Sequence, residues 1–219
     1  MNHKNFIKNG YEIVNLKKKD SIYLRSKILK YIKEKTKLEK INLDYLHKNY
    51  PLEKLNALRI YVYNKINKDV QFQKKILSSF DKIISETVGS ETAQSYISFS
   101  IQYPNDGTSL LTLHTDSSQS DSVFQVNLWI PFVNVKKTKS MFIVKPKDSI
   151  KILKEMRDSK KITIQEVHKK YKRKMKWLEL KFGQTIVFTP NCLHGNVVNN
   201  ENTTRLSINL RYNYYVFFI

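Results

Sequence analysis

The sequence predicts an α+β domain, mainly β: a sandwich or barrel with helices laid over one face of its main sheet. Three observations carry this. Residues from Ser21 to about Val88 keep a helical period. From Ser95 the period switches to two, and short strand-like runs follow one another between turn residues. Between Lys147 and Lys176 a helical period returns with heavy charge, which reads as an insertion within the β region. Such a run of short strands favours a sandwich or barrel over alternating βαβ units.

The elements follow in order. Ile22, Leu24, Ile28, Leu29 and Ile32 fall near 3.6 spacing with lysines between them, and Asp20 or Ser21 could cap that helix. A second helix is expected over roughly 52–64. A third is expected over Val70 to Thr87, ending near Gly89. Tyr96 to Tyr103 alternates as a strand, and Pro104-Asn105-Asp106-Gly107 marks a turn. Further strands are expected over Leu110–His114, Val123–Ile130, Met141–Val144, Trp177–Leu180, Thr185–Thr189 and Arg205–Phe218. The expected organisation is a helical extension over 1–90, packed on a core over 91–219 that holds the basic insertion at about 147–176.

At 219 residues and 41% hydrophobic, the chain can bury a real core. Its single cysteine, Cys192, excludes an internal disulfide and a cysteine zinc cage, and suits a reducing compartment such as the cytoplasm. No run of about 18 apolar residues offers a membrane span. The opening MNHKNFIKNG lacks the apolar stretch of a secretory signal.

The net charge of +20 raises the question of nucleic acid. Lys outnumbers Arg 33 to 6, however, a bias that the AAA codons of an AT-rich genome would also produce. The charge is uneven: +12 over residues 1–80, −2 over 81–144, +9 over 145–181 and +1 over 182–219. The strand-like segments are near neutral, and the basic ones read as solvated helices around them.

Candidate chemistry sits on three of those segments. In His114-Thr115-Asp116, an imidazole and a carboxylate two apart on a strand share a face, and both suit a divalent metal. His194 follows the apolar run Thr185–Thr189 and a short loop, with Gly195 giving backbone room beside it. In Arg205-Leu206-Ser207-Ile208-Asn209-Leu210-Arg211, alternation puts Arg205, Ser207, Asn209 and Arg211 on one face and three aliphatics on the other. If the polar face is inward, its arginines need anionic partners. Two histidines and a carboxylate form the facial triad of non-haem Fe(II) oxygenases, which leaves three metal positions open. An arginine eleven positions after His194, with a serine two further on, offers a fork and a hydroxyl to the distal carboxylate of a keto acid such as 2-oxoglutarate.

The set His114-x-Asp116, His194 and Arg205-x-Ser207 resembles the Fe(II)/2-oxoglutarate-dependent dioxygenases with a double-stranded β-helix (jelly-roll, cupin-like) fold, over roughly Ser95 to Tyr212. The segments Ser109–Asp116, Val126–Pro131, Thr138–Ile143 and His194–Asn199 resemble the phytanoyl-CoA-hydroxylase-like branch typified by streptomycin-biosynthesis oxygenases, whose relatives occur in carbohydrate and cell-surface clusters. The resemblance implies that His114, Asp116 and His194 hold Fe(II) and that Arg205 and Ser207 hold 2-oxoglutarate. Gln102 and Asn127 become candidate contacts to cosubstrate or substrate, and Arg211 and Asn209 candidate substrate contacts. It further implies O₂-dependent oxidation of a small molecule, saccharide or anionic, with release of succinate and CO₂. Asp116 stands where related halogenases carry a small residue, so hydroxylation or another oxidation is expected. Three rivals remain: a nucleic-acid dealkylating oxygenase, suggested by Arg205-x5-Arg211; a non-catalytic jelly-roll binding module; and an oxygenase of protein or carrier-bound substrates. For the insertion, a solvated helix pair and a cationic lid are both open.

Overall fold

The computed structural model describes residues 2–119, 121–159 and 162–214. It opens with α1 (His3–Asn9), which ends at Gly10 in a left-handed conformation, φ 74°. Then comes β1 (Tyr11–Asn15). Neither was anticipated. Five residues of mixed polarity, YEIVN, give too short a pattern to distinguish from loop, and β1 is a strand because it pairs antiparallel along its length with β7 (Gln184–Phe188).

The helical layer follows: α2 (Lys18–Thr36), a short α3 (Leu46–Asn49), α4 (Leu55–Lys68) and α5 (Val70–Val88). The start of α2 corrects the expected cap. Its N-cap is Lys17, which makes no side-chain capping bond, and Asp20 lies in the first turn. There Asp20 meets the helix dipole favourably and pairs with Lys75 at 3.4 Å. The cap of α5 is Asp69, whose side chain accepts from the Phe72 N–H. Each helix buries one stripe: Leu24, Ile28, Tyr31 and Ile32 on α2; Leu55, Leu58, Val62 and Ile66 on α4; Phe72, Ile76, Phe80 and Ile84 on α5. Of the α2 positions expected inside, Ile22 stands half exposed, one position off that stripe.

The main sheet runs β1-β7-β4-β9-β2, with β3 also paired to β9; here β2 is Thr92–Gln94, β3 Ser98–Gln102, β4 Gln125–Pro131 and β9 Arg205–Tyr214. All its pairings are antiparallel. The expected strand over 205–218 is thus described as far as Tyr214, and the rest lies outside the described residues. Alternation divides the two central strands cleanly. Val126, Leu128 and Ile130 of β4, with Leu206, Ile208 and Leu210 of β9, join the helical stripes in one core. Residues 1–90 therefore supply an edge strand of this sheet as well as its helical cover.

A second sheet has the order β6-β5-β8, from β5 (Phe142–Ile143), β6 (Lys176–Trp177) and β8 (His194–Gly195). The insertion forms α6 (Pro146–Asp158) and α7 (Ile164–Tyr171). Thr163 and Glu166 close a capping box on α7. Met141 and Ile143 join the main core, whereas Phe142 and Val144 pack with Ile152, Val167, Met175 and Leu193 in a separate cluster. The insertion thus covers the outer face of the second sheet. Two of its lysines are held by its own carboxylates, Lys170 by Glu155 at 2.6 Å and Lys174 by Asp148 at 3.2 Å. Among the described residues, no helix is long and apolar enough to cross a membrane.

Leu110–His114 is not a strand, which corrects that expectation. His114 alone forms a bridge, to His194. Leu110 and Leu111 have no ladder partner and lie 38% and 59% exposed.

Candidate active site

The pairing of His114 with His194 builds the centre. Each backbone N–H donates to the other's carbonyl, at 3.0 and 2.9 Å, so the two imidazoles sit side by side with centroids 4.3 Å apart. Gly195 permits that approach, since a Cβ there would lie 2.9 Å from the Leu111 carbonyl oxygen. Asp116 reaches the same point from the first turn of a 3-10 segment, Asp116–Gln119, rather than from a continuing strand. The turn does what period-two alternation was expected to do. One donor atom from each of the three residues lies within 4.8 Å of the others. The His114 and His194 Nε2 atoms are 4.0 and 3.8 Å from the Asp116 carboxylate.

Both rings are oriented from behind. His114 Nδ1 is 2.7 Å from the Thr112 carbonyl and His194 Nδ1 2.9 Å from that of Cys192. A carbonyl only accepts, so each Nδ1 carries a proton and each Nε2 is turned toward the centre. Burial, helped by the neighbouring His114 ring, holds the His194 imidazole well below its ordinary range and so neutral. Two imidazoles and a carboxylate form a donor set suited to a divalent metal.

Asp116 is fully buried and has two partners of its own. Arg211 Nη2 is 2.7 Å from one carboxylate oxygen, and Asn127 Nδ2 donates to the other. Asn127 in turn accepts from Gln125 Nε2 at 3.0 Å, and Arg211 Nε lies 2.9 Å from Asp121.

His114, His194 and Arg211 border a cavity of about 460 Å³. Its floor is the polar face of β9, where Arg205, Ser207, Asn209 and Arg211 all line it as alternation requires. Arg205 is 2% exposed yet forms no ion pair among the described residues. Its contacts are distant, 3.4 Å to the Ser140 carbonyl and 3.5 Å to Ser100 Oγ, and its Nε has no partner. Burial, with Arg59 nearby, pushes this guanidinium down to about 10. A buried cation without an ion pair, beside a cavity, is a group whose charge an anion there would offset.

Two expected contacts are placed elsewhere. Asn127 lies behind Asp116, and Gln102 donates to the Val197 carbonyl at 2.9 Å; neither lines the cavity. The sequence reading missed Trp129 and Met141 in the wall and Asp121 on Arg211. Trp129 was legible, two positions from Asn127 on the same strand face. Asp121 was not, since a loop sets its position. A larger groove of about 670 Å³ lies between α1, the end of α5 and α6. Among the described residues, no histidine, carboxylate or cation lines it.

Solved structures with this fold include HygX from Streptomyces hygroscopicus with nickel and 2-oxoglutarate bound (13% identity, 98% of this chain and 87% of that one, TM-score 0.61). They also include EctD from S. alaskensis with 2-oxoglutarate and 5-hydroxyectoine (12%, 96% and 74%, TM-score 0.64). A third is the non-haem alpha-ketoglutarate-dependent carbocyclase SnoK from nogalamycin biosynthesis (13%, 96% and 82%, TM-score 0.60). No protein-family model and no curated protein matches the sequence. At these identities the likeness is one of fold.

Proposed function

We propose that this chain is a non-haem Fe(II)- and 2-oxoglutarate-dependent oxygenase of a small biosynthetic molecule, built on a double-stranded β-helix. The observation that carries the reading is Arg205. Three metal donors alone would also suit a structural ion. A buried guanidinium without a counter-ion, in the same cavity, calls for a second, anionic ligand. A keto dicarboxylate satisfies both features at once. The structures of HygX and EctD were solved with 2-oxoglutarate, which supports the pairing.

In this reading His114, Asp116 and His194 hold Fe(II). Arg205 and Ser207 take the distal carboxylate, and Arg211 and Asn127 orient Asp116. Gln102 positions the Val197 segment beside Arg205. Asn209 and the loop over 108–111 face the substrate. When bound, iron, 2-oxoglutarate and O₂ supply an oxidation of the substrate coupled to decarboxylation to succinate and CO₂. Asp116 favours hydroxylation over halogenation, although SnoK, a carbocyclase, has the same fold. The rival reading as a binding module leaves the site without turnover.

The test is anaerobic addition of Fe(II) and 2-oxoglutarate, followed by O₂. A visible charge-transfer band, then succinate release, is expected. Absence of the band at saturating ligand would refute the reading, and a band without succinate over a broad substrate panel would favour the binding module.

A further inference from the structure

The chain has 33 lysines, yet among the described residues none lines the cavity. Nor does any described residue of the basic segment 145–181. Two cations reach the cavity. Arg211 is already compensated, by Asp116 at 2.7 Å and Asp121 at 2.9 Å. Arg205 is the uncompensated one, and the proposed function assigns it to the cosubstrate. Once that carboxylate is seated, no uncompensated cationic side chain remains among the described residues for a substrate anion.

What remains is polar but neutral. Ser98 stands opposite Asn209 in the β3–β9 register, and Trp129 stands opposite Asn209 across β4–β9. Ser109 Oγ and Asn209 Oδ1 are buried without hydrogen-bond partners. An amide oxygen can only accept. A hydroxyl can supply its proton, whereas an ionised phosphate or carboxylate cannot. The loop side adds apolar surface, with Leu110 and Leu111 partly exposed beside Phe99. A phosphate or carboxylate brought past these side chains would lose its water with only neutral donors, and no uncompensated cation, to replace it.

We infer that the substrate is an uncharged, hydroxyl-bearing molecule of about single-ring size, a neutral glycoside or polyol, and not a phosphorylated, nucleotide-linked or carboxylated one. This inference rests on the proposed function and narrows it. Both the neutral hydroxyl and amide groups and the apolar entry match such a molecule, with hydroxyls turned to Ser98, Ser109 and Asn209 and carbon surface to Trp129. The basic surface then acts elsewhere than in substrate capture.

The experiment uses the full chain loaded with Fe(II) and 2-oxoglutarate. The anaerobic charge-transfer band is recorded first. Substrate-dependent succinate release is then measured with methyl glycosides and cyclitols, each paired with its monophosphate. Neutral members should stimulate release at least about 100-fold more than their phosphates, the order expected from desolvating an unpaired charge. Leu111→Lys, at an exposed position, should raise the rate with phosphates by about tenfold. Preference for phosphates, or stimulation by no neutral member while the band forms, overturns the inference and leaves the oxygenase reading standing. An unchanged ratio in Leu111→Lys also overturns it, because the missing cation would then not be what excludes the anion. Failure of the band removes the oxygenase reading, and the inference with it.

Discussion

Replacing Arg205 by methionine should make the protein more stable and unable to bind 2-oxoglutarate. The opposed signs follow from the surroundings. Burial holds the guanidinium from its ordinary 12.5 down to about 10, which amounts to about 3 kcal/mol against the charged form at about 1.4 kcal/mol per pH unit. For a base with a depressed folded-state value, the sign is unfavourable. The penalty is complete at neutral pH and is relieved only as pH rises above about 10. The long contacts to Ser140 and Ser100 offset little of it. A methionine fills much of the same volume without the charge, and exchanges of this kind gain about 1–4 kcal/mol. For a domain of this size that is a rise in melting temperature of about 2–4 °C per kcal/mol.

The assay is thermal melting with Ni(II), with and without 2-oxoglutarate. Wild type should gain about 2.7 kcal/mol of stability at 100 times the dissociation constant. The methionine variant should melt higher than wild type without 2-oxoglutarate and show no further rise with it. A variant that melts lower than wild type would make Arg205 a structural residue. A retained 2-oxoglutarate shift would move the anion site elsewhere.

Arg205→Lys keeps the charge and loses the planar fork, so 2-oxoglutarate should bind about 10- to 150-fold more weakly, the equivalent of 1.5–3 kcal/mol for a charged hydrogen bond, while Ni(II) affinity by titration stays the same. Alanine at His114, Asp116 or His194 should abolish succinate release and the metal-dependent rise in melting temperature, with the far-ultraviolet dichroism of wild type retained; a surviving metal shift would exclude that residue as a ligand. Asp69 reports on the helical layer. Burial raises it, but Lys27, Tyr31 and the Phe72 N–H together hold it down to about 2, so its contribution of about 2 kcal/mol is present above pH 3.8 and lost as pH falls toward 2. Asp69→Asn should flatten the acid side of the urea-midpoint profile, and an unchanged slope would count against that network.

The strands of the core were legible because burial on one face imposes period two. Alternation puts Leu206, Ile208 and Leu210 on one face and Arg205, Ser207, Asn209 and Arg211 on the other, and the structure turns the first set into the core and the second onto the cavity. The helices were legible for the corresponding reason at period 3.6. What escaped was set by partners rather than by pattern. β1 exists through β7, and the His114 bridge exists through His194. Gln102 has the right parity for the cavity but spends its amide on the Val197 carbonyl. Parity gives a face, and neighbours decide whether a side chain on that face meets a ligand or a backbone.

Arg211 and Asn127 show why this distinction matters for the site. A carboxylate as buried as Asp116 needs partners before any metal arrives. Arg211 Nη2 takes one oxygen, Asn127 takes the other, and Gln125 fixes Asn127 from behind. All three stand on the strand faces that carry the cavity, and Asn127 is opposite Arg211 in the β4–β9 register. The same cross-strand pair therefore offsets the desolvation of Asp116 and sets the direction of its lone pairs. Arg211 cannot also serve as a free anion receptor, because Asp116 and Asp121 already share its charge. One strand thus holds two arginines with separate assignments. Arg211 is bound to Asp116, the carboxylate proposed to hold the metal, and Arg205, without an ion pair among the described residues, marks where the proposed second ligand belongs.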